Sequence, residues 1–274
     1  PPRSTLSLRR QRQMCIRDRF SMSRALVLVR HGQSTWNLEN RFTGWIDVPL
    51  SERGIQEARD AGMLLSKAGY AFDVALTSCL ERATHTLELV LEEMDCSALP
   101  TIQDWRLNER HYGALQGLNK RETVEKHGAQ QVLEWRRGFS VRPPELSYDH
   151  PSHPRNDPRY SEVPNLPGAE SLADTLVRVR AWWQEALVPL LRTNQHVLVV
   201  AHGNSLRALV KLLDRLSEEE ILEFNIPTGI PMVYQLDEHF SVLNRRFLAD
   251  DAKLKAAVDE VRNQVSSSQD NYSD

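Results

Sequence analysis

Short aliphatic runs alternate with amphipathic stretches along most of this chain. Ala25-Leu26-Val27-Leu28-Val29 reads as a buried strand over about 25–30 that ends in the turn Arg30-His31-Gly32. Residues 33–50 carry no clean period and read as a loop. Ser51 stands where it can cap a helix over about 52–68, with Ile55, Ala58, Gly62 and Leu65 on one face and Gly69 at its end. A second strand is predicted over 72–77, then a helix from about 79 to 94 capped by Ser78, then a short third strand over 102–105. The pattern breaks over 108–168, where a helical stretch near 119–137 leads into a segment rich in proline and histidine. A loop of that length in a compact domain is usually functional or a lid. Regularity returns with a helix from about 170 to 192, on which Leu172, Leu176, Val179, Trp183, Leu187 and Leu190 recur at spacings of three and four. A strand over 197–201, a helix near 204–213, a short helix capped by Ser217, a strand around 232–236 and a polar helix near 250–265 complete the series. Helices alternating with strands predict an α/β fold around a mostly parallel sheet.

The apolar run His196-Val197-Leu198-Val199-Val200-Ala201 also ends in His-Gly, at His202-Gly203, and so nearly repeats the first strand. Open α/β sheets place ligands at the carboxyl ends of their strands. Two strand-terminal histidines therefore predict one shared site. A neutral imidazole nitrogen can attack phosphorus and carry the phosphoryl group, and arginine offers a planar fork of donors that matches phosphate. Arg82 follows a strand end at the start of a helix, where anions bind. Lys120 and the pair Arg136-Arg137 add cations within the 108–168 segment. Glu109, in Asn108-Glu109-Arg110-His111-Tyr112-Gly113, reads either as a general acid/base or as a loop carboxylate paired with Arg110.

Composition narrows the classes. The chain has 274 residues, 41% hydrophobic and 26% charged, with a net charge of -3, so no global basic field points to nucleic acid or a membrane surface. Cys15, Cys79 and Cys96 form no CxxC pair and are odd in number, which fits a reducing, cytoplasmic setting and neither a disulfide framework nor a zinc site. There is no P-loop and no HExxH motif. His150 and His153 lack the surrounding ligands of a metal centre, so none is expected. Residues 1–21 are arginine-rich and acid-poor, and they read as an appended leader before Met22 or as a transit peptide. Residues 22–250 then form the catalytic domain, and 251–274 form a tail whose end, 266–274, reads as disordered.

These segments together resemble the histidine phosphatase superfamily and, within it, the 2,3-bisphosphoglycerate-dependent phosphoglycerate mutases. The resemblance rests on Leu28-Val29-Arg30-His31-Gly32-Gln33-Ser34-Thr35-Trp36-Asn37, on Phe42-Thr43-Gly44-Trp45 and on Leu50-Ser51-Glu52-Arg53-Gly54. Leu107 through Lys120, Pro167-Gly168-Ala169-Glu170-Ser171-Leu172 and Ala201-His202-Gly203-Asn204-Ser205-Leu206-Arg207 extend it over about 24–250. Cys79, Thr84-His85-Thr86 and Pro154-Arg155-Asn156-Asp157-Pro158 depart from the family's usual residues, and none of them is a matched catalytic position.

The resemblance implies a three-layer α/β sandwich with helices on both faces of the sheet. It implies interconversion of 3-phosphoglycerate and 2-phosphoglycerate through a phosphohistidine at His31, primed by 2,3-bisphosphoglycerate without a metal. Arg30, Arg82, His202, Asn37 and the Gly203 amide would clamp the transferring phosphoryl group, and Glu109 would move the hydroxyl proton. Tyr112, Lys120, Arg136 and Arg137 would hold the substrate's carboxylate and second phosphate, with Thr43, Gly44 and Asn204 completing the pocket. The family also implies a homodimer or homotetramer. Two other classes stay open: a phosphomonoesterase that uses water as acceptor, and a non-catalytic scaffold or phosphopeptide-binding protein.

Overall fold

The computed structural model describes residues 24–193 and 196–263; the expectations for 1–21 and 266–274 lie outside the described residues. Six strands form one sheet: β1 (Arg24–Arg30), β2 (Val74–Thr77), β3 (Thr101–Gln103), β4 (His196–Ala201), β5 (Met232–Leu236) and β6 (Val242–Phe247). Their order is β3-β2-β4-β1-β5-β6. The pairs β3/β2, β2/β4 and β4/β1 are parallel, whereas β5 and β6 are antiparallel to their neighbours.

Side chains alternate across a strand, and both faces of this sheet are covered. Leu26, Leu28, Val197, Val199 and Met232 point to one side, where they pack on helices α6 and α8; Val27, Val29, Leu198, Val200 and Val233 point to the other, against α2 and α3. The helices, in chain order, are α1 (Thr35–Leu38), α2 (Glu52–Lys67), α3 (Glu81–Glu93), α4 (Lys120–His127), α5 (Ala129–Arg137), α6 (Leu172–Trp182), α7 (Val188–Thr193), α8 (Gly203–Asp214), α9 (Glu218–Glu223) and α10 (Asp251–Asn263). Strands covered on both faces explain why the runs are continuously apolar rather than alternating.

Several local expectations are corrected. Ser78 does not cap α3. Its hydroxyl accepts from Leu80 N at 3.2 Å, Leu80 holds the N-cap position, and the Glu81 amide is met by Asp47 Oδ1 at 2.6 Å. The 119–137 stretch is two helices, divided by Gly128 at φ 82°. The long helix after residue 170 contains a π-helical turn, Trp183–Leu187, that ends two residues before Pro189. Proline has no N–H to give the carbonyl four residues back, and a widened turn accommodates that gap. Between the strand around 232–236 and the polar helix, where no element is predicted, lies β6, an edge strand of largely exposed residues, Leu-Asn-Arg-Arg, whose pattern carries no core signal. Asp237 closes its hairpin by accepting from the amides of His239 and Ser241.

Candidate active site

The β1/β4 register pairs Arg30 with Ala201, so the residues that follow, His31 and His202, stand side by side at the strand ends. Their ring centroids are 4.9 Å apart, and both side chains are buried. The His31 amide donates to Ala201 O at 2.9 Å, which carries the strand pairing one residue further. Close packing at Gly32 and Gly54 fixes the loop beyond: a Cβ on Gly32 would lie 2.1 Å from Gly54 O, and one on Gly54 would lie 2.0 Å from Gln33 O.

His31 Nδ1 lies 2.7 Å from Gly32 O. A carbonyl only accepts, so Nδ1 carries the proton and Nε2 keeps its lone pair. Burial, then the Arg82 and Arg30 guanidiniums, hold the His31 pKa well below the usual histidine range, against the pull of the Gly32 carbonyl. The ring is therefore neutral and nucleophilic near pH 7. His202 is held down in the same way, by burial first and then by Arg82 and His31. Its Nε2 hydrogen-bonds Ser78 Oγ at 2.7 Å.

Two arginines flank His31. Arg82, the second residue of α3, is 1% exposed and donates to Gly44 O at 2.7 Å and Ile46 O at 3.0 Å, which decides against a solvated helix face. Arg30 donates to Ile226 O at 2.8 Å. Burial pushes the Arg82 pKa down to about 10, with Glu109 pulling the other way. Glu109 Oε1 accepts from the backbone amides of Arg110, at 2.7 Å, and Asn204, at 3.2 Å. The alternative reading of Glu109 as an ion-pair partner of Arg110 is not what forms, since the Arg110 guanidinium turns to Trp135 O and Arg136 O and lies over the Tyr112 ring. Asn204 Nδ2 reaches Tyr112 Oη at 3.3 Å.

Every site residue expected from the sequence lines one cleft except His202, which lies buried beside His31. Arg30, His31, Asn37, Thr43, Gly44, Arg82, Glu109, Tyr112, Lys120, Arg136, Arg137, Gly203 and Asn204 are there. Arg207, Arg41, Asn225, Ile226 and Val261, none of them a candidate from the sequence, also line it. Arg207 was legible in part, because it stands one helical turn after Gly203 and shares its face. Val261 arrives from α10, and no local pattern announces so distant a contact.

Among the described residues, seven cationic side chains and one carboxylate, Glu109, therefore line the cleft. Burial and neighbouring arginines push Lys120 down to about 7, and burial pushes Arg136 to about 10 and Arg207 to about 9. Among the described residues Arg30, Arg82, Lys120, Arg136 and Arg207 face the single carboxylate Glu109, an excess of positive charge that an anion would relieve. Arg30 Nε, Thr43 Oγ1, His202 Nδ1 and Arg207 Nε, in or beside the cleft, are among the buried polar atoms with no hydrogen-bond partner among the described residues. His150 and His153 lie elsewhere, each accepting a backbone amide of its own loop through Nδ1.

A buried neutral histidine between arginines at the strand ends of a mixed α/β sheet, with a carboxylate in the same cleft, has the chemistry to accept a phosphoryl group. The sequence matches the histidine phosphatase superfamily, branch 1, over residues 26–149 and 144–246, and the chain belongs to that superfamily. Solved structures with the same fold include the α-ribazole phosphatase from Shigella flexneri, 24% identical, with a TM-score of 0.60 over 80% of this chain and 94% of that one. A mycobacterial glucosyl-3-phosphoglycerate phosphatase complexed with VO3 is 24% identical, with a TM-score of 0.61 over 82% of this chain and 97% of that one. A second mycobacterial protein, hydrolase 2, is 23% identical, with a TM-score of 0.60 over 87% and 97%. Among the described residues no helix is long and apolar enough to cross a membrane.

Proposed function

We propose that this protein moves a phosphoryl group between the 3- and 2-hydroxyls of glycerate, through His31 and primed by 2,3-bisphosphoglycerate. One observation carries the reading: a single nucleophilic histidine serves a cleft with more cations than one phosphate needs. Arg30 and Arg82 flank His31, while Lys120, Arg136 and Arg137 come from the 108–168 segment and Arg207 from α8. A substrate with a carboxylate and two phosphates fits that charge.

In the priming step His31 Nε2 bonds to phosphorus as a phosphate ester P–O bond breaks, and protonated Glu109 gives its proton to the leaving oxygen. In the return step ionised Glu109 takes the proton of the accepting hydroxyl as that oxygen bonds to phosphorus and the P–N bond breaks. Charge spread over the phosphoryl oxygens is met by Arg30 and Arg82, so positioning and fixed positive charge supply most of the catalysis. The arginines fill the role a metal holds in other phosphoryl-transfer sites.

A second reading, phosphomonoester hydrolysis at the same histidine, is favoured by the structural neighbours, two of which are phosphatases by name. Labelled 2,3-bisphosphoglycerate separates the two. The expected result is acid-labile label on His31 that a 3-phosphoglycerate chase carries into bisphosphoglycerate and 2-phosphoglycerate. Label released as inorganic phosphate, whether or not 3-phosphoglycerate is present, establishes the hydrolase instead. Retention of acid-labile label in His31→Asn would overturn both.

A further inference from the structure

Glu109 sits on a stretch with no regular secondary structure, between the 3-10 turns Trp105–Leu107 and Gly113–Leu115. No helix or strand ladder fixes its backbone. A buried ion pair stands in place of one. Arg178, on the core-facing side of α6, is 7% exposed, and Glu170, just before that helix, is 4% exposed. Arg178 Nε and Nη2 meet the two Glu170 oxygens at 2.7 and 2.9 Å. The rest of the guanidinium is spent on backbone: Nη1 donates to Arg106 O at 2.7 Å and Asn108 O at 2.9 Å, and Nη2 donates to Glu109 O at 2.9 Å. Glu170 Oε2 in turn accepts the His111 amide at 2.9 Å, and the Glu170 amide donates to His111 O at 2.8 Å. Trp45 Nε1 adds a second donor to Glu109 O at 2.5 Å.

A buried ion pair brings little net stability against an apolar replacement, so its value here lies in geometry. A guanidinium is a planar fork that addresses several acceptors at fixed angles, which an ammonium cannot do. We propose that Glu170 and Arg178, with Trp45, are positioning residues that set the backbone of 106–111 and so aim the Glu109 carboxyl at the oxygen that gains or loses a proton. The inference rests on the acid/base role of Glu109.

The choice of phosphoryl donor tests it. An alkyl phosphate such as 2,3-bisphosphoglycerate needs a proton on the leaving oxygen, whereas p-nitrophenyl phosphate releases a stable phenolate without one. Rapid-quench labelling of His31 by 2,3-bisphosphoglycerate and the nitrophenolate burst report the same P–N bond formation with the two leaving groups. Glu109→Gln is the benchmark and is expected to slow the first far more than the second. Arg178→Lys is expected to follow it, slowing labelling by about 10- to 100-fold, the range for residues that orient an active group, with the burst changed less than about threefold.

Equal slowing of both donors, or no slowing in folded Arg178→Lys, would overturn the positioning role. If Glu109→Gln itself fails to separate the donors, the acid/base reading falls instead. Trp45→Phe keeps an aromatic ring against Trp105, His111 and Tyr160 while removing the other donor to Glu109 O and some of that packing, so in folded protein its donor ratio decides the matter if Arg178→Lys does not fold. It is expected to shift the donor ratio in the same direction by several-fold, and an unchanged ratio would refute the inference.

Discussion

Lys120 is the cation of the cleft whose charge is most easily lost, and replacing it with methionine gives a prediction with a sign at each pH. Burial, then Arg136, Arg30 and Arg137, push its pKa down from 10.5 to about 7, with only Glu109 opposing. With its pKa near 7, Lys120 is largely neutral in the free protein at pH 8. A phosphate or carboxylate seated beside it restores the proton. Binding of 3-phosphoglycerate to His31→Asn, which keeps chemistry out of the heat signal, should take up close to one proton at pH 8 and about half of one at pH 7. The ligand's own phosphate is already a dianion at pH 8, since its second pKa is near 6. Calorimetry in buffers of different ionisation heat measures the uptake, and adding Lys120→Met should abolish it. The same shift predicts stability. Between about 7 and 10.5 the unfolded chain holds a proton that the folded chain has released, so stability rises with pH across that window. Below pH 7 the full penalty applies, up to about 5 kcal/mol for a shift of this size. Lys120→Met should accordingly be more stable than the parent at pH 6, with the gain fading toward pH 10. Uptake below about 0.2 proton at pH 8, or a stability gain that grows with pH, would refute the reasoning.

Three further outcomes follow from particular contacts. Glu109→Gln should lower kcat by about 10²- to 10⁴-fold, the usual contribution of acid/base catalysis, while KM moves only a few-fold; a change confined to KM would exclude the proton-transfer role. Gly54→Ala drives a methyl group to 2.0 Å from Gln33 O, so differential scanning calorimetry should show a loss of about 1–3 kcal/mol from overpacking, together with slower labelling of His31 two residues from the clash. Treatment with EDTA should leave the activity of the freshly purified enzyme unchanged, because arginine supplies the positive charge; loss that an added divalent cation restores would require a different mechanism.

The parallel core of the fold was legible because its strands are buried on both faces and so read as unbroken aliphatic runs. The heart of the site was legible for the same reason: Arg30-His31-Gly32 and His202-Gly203 each follow such a run, and parallel neighbours bring their ends together. What escaped was set by contacts remote in sequence. β6 is an exposed edge strand held by its hairpin with β5, and its Asn-Arg-Arg stretch carries no hydrophobic period. The N-terminus of α3 takes its cap from Asp47, 34 residues away, which left Ser78 free for His202. Glu170 and Arg178 stand in a stretch matched by resemblance, yet their purpose shows only where the fork reaches 69 residues back to Glu109 O.

Sheet and insert divide the proposed reaction between them. The strand ends supply His31, Arg30 and His202, and the start of α3 supplies Arg82; in the proposed reaction this half makes and breaks the phosphohistidine and is indifferent to the acceptor. The 108–168 segment supplies Glu109, Tyr112, Lys120, Arg136 and Arg137, which handle the proton and the rest of the substrate. It is also tied down more elaborately than a surface loop requires. Arg159 links it through Asp47 and Cys79 O to the start of α3, and Arg178 links it to α6. A hydrolase needs only water at the phosphohistidine and gains little from holding a leaving acid in place. A mutase must keep bisphosphoglycerate bound while its two ends exchange, so transfer outruns escape. Charge held rigidly on the insert serves that second need, and loosening it without touching His31 should raise the share of phosphate lost to water.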